Sequence, residues 1–71
     1  MFKENFTKNI RRAREEKKMT QQYVADVLNI SRSNITKYET GKLEPTIEII
    51  GQLAELYDVS VDWLLGIKKT N

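Results

Sequence analysis

Four side chains with hydrogen-bonding capacity fall on one face of a short predicted helix. They are Arg32, Ser33, Thr36 and Lys37. In a helix that begins after Ser31, they point away from the apolar stripe that Ile35 and Tyr38 form. Seated in the major groove of DNA, arginine can bond guanine O6 and N7, lysine can reach guanine acceptors, and hydroxyl groups can contact several bases or a thymine methyl. The face therefore predicts base readout, and Arg32 is the strongest candidate. The alternative for Arg32 and Lys37, each taken alone, is a solvated surface charge.

The chain also carries residues suited to the phosphate backbone. Gln21 begins a predicted helix, where free backbone N–H groups face an anion favourably. Asn34 and Lys42 are further candidates for phosphate contacts. For Gln21 the alternative is a helix-start residue that makes no contact.

Charge is divided unevenly along the 71 residues. The net charge is only +2, but residues 1–42 hold ten basic and five acidic residues, whereas residues 43–71 hold two basic and five acidic residues. The first part is therefore at +5 and the second at −3. A concentrated basic half favours a polyanionic partner more than the small net charge suggests.

Composition excludes several classes of function. The chain has no His and no Cys, so imidazole catalysis, thiol nucleophiles, the usual zinc sites and disulfides are all excluded. We expect no enzyme activity, no metal and no cofactor. No apolar run approaches the roughly 18 residues of a membrane span, and residues 1–6 lack the apolar core of a signal peptide. The expectation is a cytoplasmic protein without membrane contact.

Apolar spacing predicts an all-α chain of five short helices. Phe6, Ile10 and Ala13 recur at helical spacing, which predicts a first helix from about Asn5 to Lys17. Hydroxyl residues that can cap the four later helices stand at Thr20, Ser31, Thr46 and Ser60. Stop signals stand at Gly41 and Gly66. The residues expected to be buried by these later helices are Val24, Ala25, Leu28, Ile35, Tyr38, Ile47, Ile50, Leu53, Ala54 and Tyr57, and the last helix carries Val61, Trp63, Leu64 and Leu65.

The stretch from Gln21 to Glu39 predicts a helix-turn-helix. Its two short helices are separated by only three residues, so they must cross steeply. Ala25 is small where the helices touch, Asn29 tolerates a left-handed turn, and Ile35 is a β-branched core residue.

Three segments carry a more specific resemblance. They are IRRAREEKKMTQ (10–21), YVADVLNISRSNITKYETGKLEP (23–45) and LAELYDVSVDWLLG (53–66). At these intervals they resemble the five-helix DNA-binding domain of the Cro and phage-repressor (XRE-type) family, from about Phe6 to Gly66. Asn29 and Lys18 stand where that family usually has Gly. A left-handed Lys18 would cost about 1 kcal/mol, so helix one is expected to fray or end differently.

The resemblance implies a compact lambda-repressor-like domain whose helix three, about residues 32–39, enters the major groove. It implies a pair between Arg14 and Glu39, which is either purely structural or also turns Arg14 toward a phosphate. It further implies that the last helix can form a two-fold interface, with Trp63, Leu64 and Ile67 as candidates. For Trp63, completion of the core is the alternative.

Together these observations predict one DNA-binding domain over residues 1–71, with a core of about 6–66 and a tail of 67–71. The expected function is a homodimeric transcriptional regulator, a repressor, on a palindromic operator in double-stranded DNA. The alternative is an antitoxin-like or adaptor module whose acidic C-terminal half binds a protein, with incidental DNA contact.

Overall fold

The structure, a computed structural model, describes residues 1–68, so the last three residues of the expected tail (67–71) lie outside the described residues. Five helices are present: α1 Phe2–Glu16, α2 Gln21–Leu28, α3 Arg32–Thr40, α4 Ile47–Tyr57 and α5 Val61–Leu65. Residues 1–68 contain no strand. The all-α prediction of five helices is confirmed.

Helix α1 begins earlier than its apolar spacing predicts and ends in a left-handed turn. It starts at Phe2 and not near Asn5, and it ends at Glu16. Lys18 adopts φ 57°, and its N–H donates to the Glu15 carbonyl at 3.0 Å. The helix therefore closes as it would with glycine, although a lysine in this conformation costs about 1 kcal/mol.

The four later helices begin at hydroxyl side chains, as predicted. Each hydroxyl oxygen accepts a hydrogen bond from the backbone N–H three residues on, which satisfies one of the free donors of the first turn. These bonds join Thr20 to Tyr23 (3.0 Å), Ser31 to Asn34 (3.1 Å), Thr46 to Ile49 (3.2 Å) and Ser60 to Trp63 (3.0 Å). These four helices are 5 to 11 residues long, and each one begins directly after its capping residue.

One apolar core joins all five helices. Its buried members are Phe6, Ile10, Ala13, Val24, Ala25, Ile35, Tyr38, Leu53, Ala54, Tyr57 and Leu64. Leu28, Ile50 and Leu65 are half-buried and pack against it. The prediction that Ile47 is buried is wrong, because this residue is 90% exposed on the first turn of α4, where the core no longer covers the apolar stripe.

Helix α5 is fastened to α1 by two asparagine side chains. Asn5 donates to the Leu65 carbonyl at 3.2 Å, and Asn9 donates to the Trp63 carbonyl at 3.0 Å. Leu64 is completely buried beneath this contact. The expectation that Leu64 lies at a dimer interface is therefore corrected, because the domain's own core encloses its side chain.

Candidate nucleic-acid interface

A left-handed residue closes the turn between α2 and α3. Asn29 ends α2 with φ 57° and ψ 45°, and the next N–H, that of Ile30, returns to the Ala25 carbonyl at 3.0 Å. Ala25 is completely buried and Ile35 is 2% exposed, so the two helices meet through small and branched apolar side chains. The connection is short and closed, which holds α3 at a fixed angle to the rest of the domain.

The outer face of α3 is open to solvent. Arg32, Ser33, Thr36 and Lys37 are all exposed. Ile35 and Tyr38, on the other side of the helix, are only 2% and 6% exposed. The structure thus separates the hydrogen-bonding face of α3 from its core face, as a helix that reads bases in the major groove requires.

A nearly buried ion pair ties α1 to α3 behind this face. Arg14 Nε lies 2.7 Å from Glu39 Oε2, and Arg14 Nη2 lies 3.1 Å from Glu39 Oε1. Arg14 Nη1 also donates to the Met19 carbonyl at 2.9 Å. The Arg14 and Glu39 side chains are 12% and 4% exposed. The hydrogen bond to Glu39 raises the pKa of Arg14 above its ordinary value, although burial opposes this shift.

Gln21 connects the ion pair to the outer face. Its amide Nε2 donates to Glu39 Oε1 at 3.1 Å, and its Oε1 accepts from the Thr36 hydroxyl at 3.0 Å. Both polar ends of the side chain are thus engaged within the domain. Its backbone N–H lies in the first turn of α2, where N–H groups have no partner within the helix.

The structure brings three of the predicted DNA-contacting residues together. Arg14, Gln21 and Arg32 line one surface recess at the start of α2, together with Met19, Thr20 and Gln22. Asn34 is half-buried on the first turn of α3, and its N–H is committed to the Ser31 cap. Lys42 is exposed beyond Gly41, which ends α3 with φ 78°, and it does not line the recess.

The candidate interface residues on α5 and just after it differ in exposure. Trp63 is 37% exposed and Ile67 is 36% exposed, whereas Leu64 is buried. Val61, at the start of the same helix, is 38% exposed. Three partly exposed apolar side chains, those of Val61, Trp63 and Ile67, therefore remain on α5 and just after it.

Two contributions to the site were not found from the sequence. Tyr57, expected only as a core residue, lies close enough to the ion pair for Glu39 to raise its pKa, although burial has the larger effect. Asn5 and Asn9 also escaped notice, although their spacing of four residues places them on one side of α1. That spacing is the signal that could have revealed them.

Residues 1–68 hold neither a membrane-spanning helix nor a metal-binding cluster of side chains. None of its helices combines the length and the apolar character needed to cross a membrane. Across residues 1–68, no three His, Cys, Asp or Glu side chains meet in a way that could hold a metal ion.

Comparison with known proteins identifies the family. The family model described as helix-turn-helix matches residues 10–64. The HTH-type transcriptional regulator YqaE of Bacillus subtilis is 42% identical over 60 residues, which cover 84% of this chain and 52% of the relative. AnsR, an HTH-type transcriptional regulator of the same organism, is 41% identical over 56 residues, covering 79% of this chain and 48% of the relative. The cryptic phage CTXphi transcriptional repressor RstR of Vibrio cholerae is 30% identical over 66 residues, covering 93% of this chain and 60% of the relative.

The chain thus spans about half the length of the first two relatives. Its matched region contains all of α2, α3 and α4. The chain belongs to the XRE-type helix-turn-helix family.

Proposed function

We propose that this chain is a sequence-specific transcriptional regulator that binds double-stranded DNA, and that it acts as a repressor. It inserts α3 into the major groove of a palindromic operator, one copy at each half-site. The observation that carries the proposal is the exposed outer face of α3, held at a fixed angle by the closed turn at Asn29. The names of the relatives support the regulatory role.

Base readout is proposed for the four side chains on that face. Arg32 bonds guanine O6 and N7, and Lys37 reaches a guanine acceptor on the next turn of the helix. Ser33 and Thr36 contact neighbouring base edges with their hydroxyl groups. A bidentate arginine contact of this kind contributes about 1 to 3 kcal/mol of discrimination, so Arg32 dominates the choice of sequence.

Phosphate contacts position the helix in the groove. The backbone N–H groups at the start of α2 bind one phosphate, and Arg14 lies in the same recess as Arg32. Lys42 and Asn34 bind further phosphates at either end of α3. The Arg14 guanidinium has two functions in this arrangement, because it pairs with Glu39 and also adds positive charge beside the DNA backbone.

A second copy of the chain is proposed to pack against the outer side of α5. The exposed fractions of Trp63 and Ile67 support this, since paired apolar surfaces stabilise a small domain by mass action. A compact dimer places its two α3 helices about 34 to 36 Å apart, one turn of the duplex. The proposed function places the chain in the cytoplasm, where bacteria such as those of the relatives hold their DNA.

Selection of bound duplexes from a random pool tests the proposal. We expect an enriched sequence with two-fold symmetry and two chains per duplex. Binding should weaken steeply with salt, because each phosphate contact releases counterions. Enrichment of a non-symmetric site would refute the dimeric arrangement. Sequence-specific binding would be refuted if the chain retained all duplexes alike, or if it retained none of them at low salt. The protein-interaction module would then be the function to test.

A further inference from the structure

We infer that Glu39, whose side chain is only 4% exposed, determines through Gln21 which bases Thr36 can read. The inference rests on the proposed function, because it concerns a base contact of α3. Glu39 is thus a positioning residue for specificity, and Thr36 is the residue through which it acts. Four side chains form a chain of hydrogen bonds between α1, α2 and α3, and in each bond the donor and the acceptor cannot be exchanged. These side chains are Arg14, Glu39, Gln21 and Thr36.

The Glu39 carboxylate determines which atom of the Gln21 amide faces it. Both Glu39 oxygens accept from the Arg14 guanidinium, at 2.7 Å and 3.1 Å. Glu39 Oε1 also lies 3.1 Å from the Gln21 amide. Since an ionised carboxylate can only accept hydrogen bonds, the Gln21 atom that faces it must be the nitrogen.

The orientation of the Gln21 amide then determines the orientation of the Thr36 hydroxyl on α3. With its nitrogen turned toward Glu39, Gln21 must turn its oxygen toward Thr36, and the two oxygens are 3.0 Å apart. The amide oxygen can only accept, so the proton of the Thr36 hydroxyl must point at Gln21. A hydroxyl group has one proton. Thr36 is an exposed residue, and its hydroxyl oxygen can therefore offer a base lone pairs alone.

An acceptor-only oxygen distinguishes bases that an ordinary hydroxyl does not. In the major groove, adenine N6 and cytosine N4 carry amino protons, whereas guanine O6 and thymine O4 are acceptors. A free threonine hydroxyl can adapt to either kind by rotating. Because the Thr36 hydroxyl donates its proton to Gln21, its oxygen can accept a hydrogen bond from the amino group of a base. If the base presents a keto oxygen instead, two acceptors face each other and no hydrogen bond forms. On the strand that it contacts, Thr36 therefore selects adenine or cytosine over guanine or thymine.

The test measures a ratio of affinities on the selected operator. Each base position is replaced in turn by all four bases, and competition binding gives the amino-to-keto preference for each position. Thr36→Val removes the hydroxyl group with little change of shape and so identifies the contacted position. There the wild-type chain should prefer the amino bases by about tenfold. Gln21→Met frees the hydroxyl proton and should lower the preference to about twofold or less. Glu39→Gln, which allows the Gln21 amide to turn over, should lower it as well.

Two controls separate this mechanism from general weakening. Thr36→Ser keeps the hydroxyl group and should retain the preference. Gln52→Met makes the same chemical change on α4, at a residue that does not line the recess, and it should leave the ratio unchanged. Using a ratio cancels any uniform loss of phosphate contacts, and circular dichroism establishes that each variant is folded.

Several results would overturn the inference while leaving the proposed function intact. These are a keto preference at the Thr36 position, no base position that responds to Thr36→Val, or an unchanged ratio in Gln21→Met. If the wild-type chain itself showed no sequence preference, the proposed function would fail and this inference with it.

Discussion

Removal of Arg14 should destabilise the domain far more than removal of any exposed cation. The Arg14 guanidinium makes three hydrogen bonds, at 2.7 and 3.1 Å to Glu39 and at 2.9 Å to the Met19 carbonyl. The Glu39 side chain is only 4% exposed in the native domain, and in Arg14→Met it keeps the Gln21 amide as its one remaining partner among these contacts. Breaking such a pair costs about 3 to 5 kcal/mol. Since a core of this size supplies about 3 to 5 kcal/mol, the variant should be largely unfolded at 25 °C.

A double variant tests whether the cost comes from the stranded charge. In Arg14→Met with Glu39→Met, no unpaired carboxylate remains, and apolar side chains of similar volume fill the site. We expect stability within about 1 kcal/mol of the wild type, because replacing both partners of a buried pair is often neutral. The matched control is Arg12→Met, whose partner Glu16 lies 2.9 Å away but whose pair is 66% and 62% exposed. This control should cost less than about 1 kcal/mol.

Urea titration followed by far-ultraviolet circular dichroism gives the free energy of unfolding of the three proteins that we expect to be folded, and the ellipticity without urea gives the folded fraction of Arg14→Met. The reasoning would be refuted if Arg14→Met and Arg12→Met lost similar amounts of stability. It would also be refuted if the double variant were as unstable as Arg14→Met, since the lost packing of the arginine would then explain the effect.

Three further predictions concern the turn after α1, the buried tyrosine and the surface of α5. Lys18→Gly should raise the free energy of unfolding by about 1 kcal/mol, since Lys18 has φ 57°, whereas Lys17→Gly should not stabilise, because Lys17 has φ −84°. Burial raises the pKa of Tyr57, so its proton stabilises the folded state fully below about pH 10 and progressively less above it. Between pH 10 and 11 the wild type should lose about 1 kcal/mol relative to Tyr57→Phe, and a Tyr23→Phe control with equal effect would contradict the assignment. Trp63→Ala should weaken self-association in sedimentation equilibrium, and an unchanged dissociation constant would place the interface elsewhere.

The helices could be predicted because their signals are local. Thr20, Ser31, Thr46 and Ser60 each begin a helix through a bond to an N–H three residues away, which depends on the neighbouring sequence alone. The connection between α2 and α3 could be predicted for the same reason, since Asn29 suits the left-handed conformation that it adopts. The exposed face of α3 followed from the same helical spacing.

Errors arose where a distant element decides the outcome. Ile47 continues the apolar stripe of α4, but its side chain is left 90% exposed by residues 1–68, because exposure depends on neighbours that spacing does not reveal. Leu64 was expected at an interface between copies, but its side chain is completely buried in the core with Phe6 and Ile10 of α1. The bond between Gln21 and Thr36 spans 15 residues and two helices, so it depends on the angle between them.

The most direct test of the central claim compares two single charge removals on the selected operator. Arg32→Ala removes a guanidinium from the outer face of α3, and Arg12→Ala removes one from the exposed side of α1. The measured quantity is the ratio of the dissociation constants for a scrambled duplex and for the operator. We expect Arg32→Ala to lower this ratio by about 10- to 100-fold, and we expect Arg12→Ala to weaken both duplexes alike and leave the ratio unchanged. An unchanged ratio in Arg32→Ala would contradict base readout by α3.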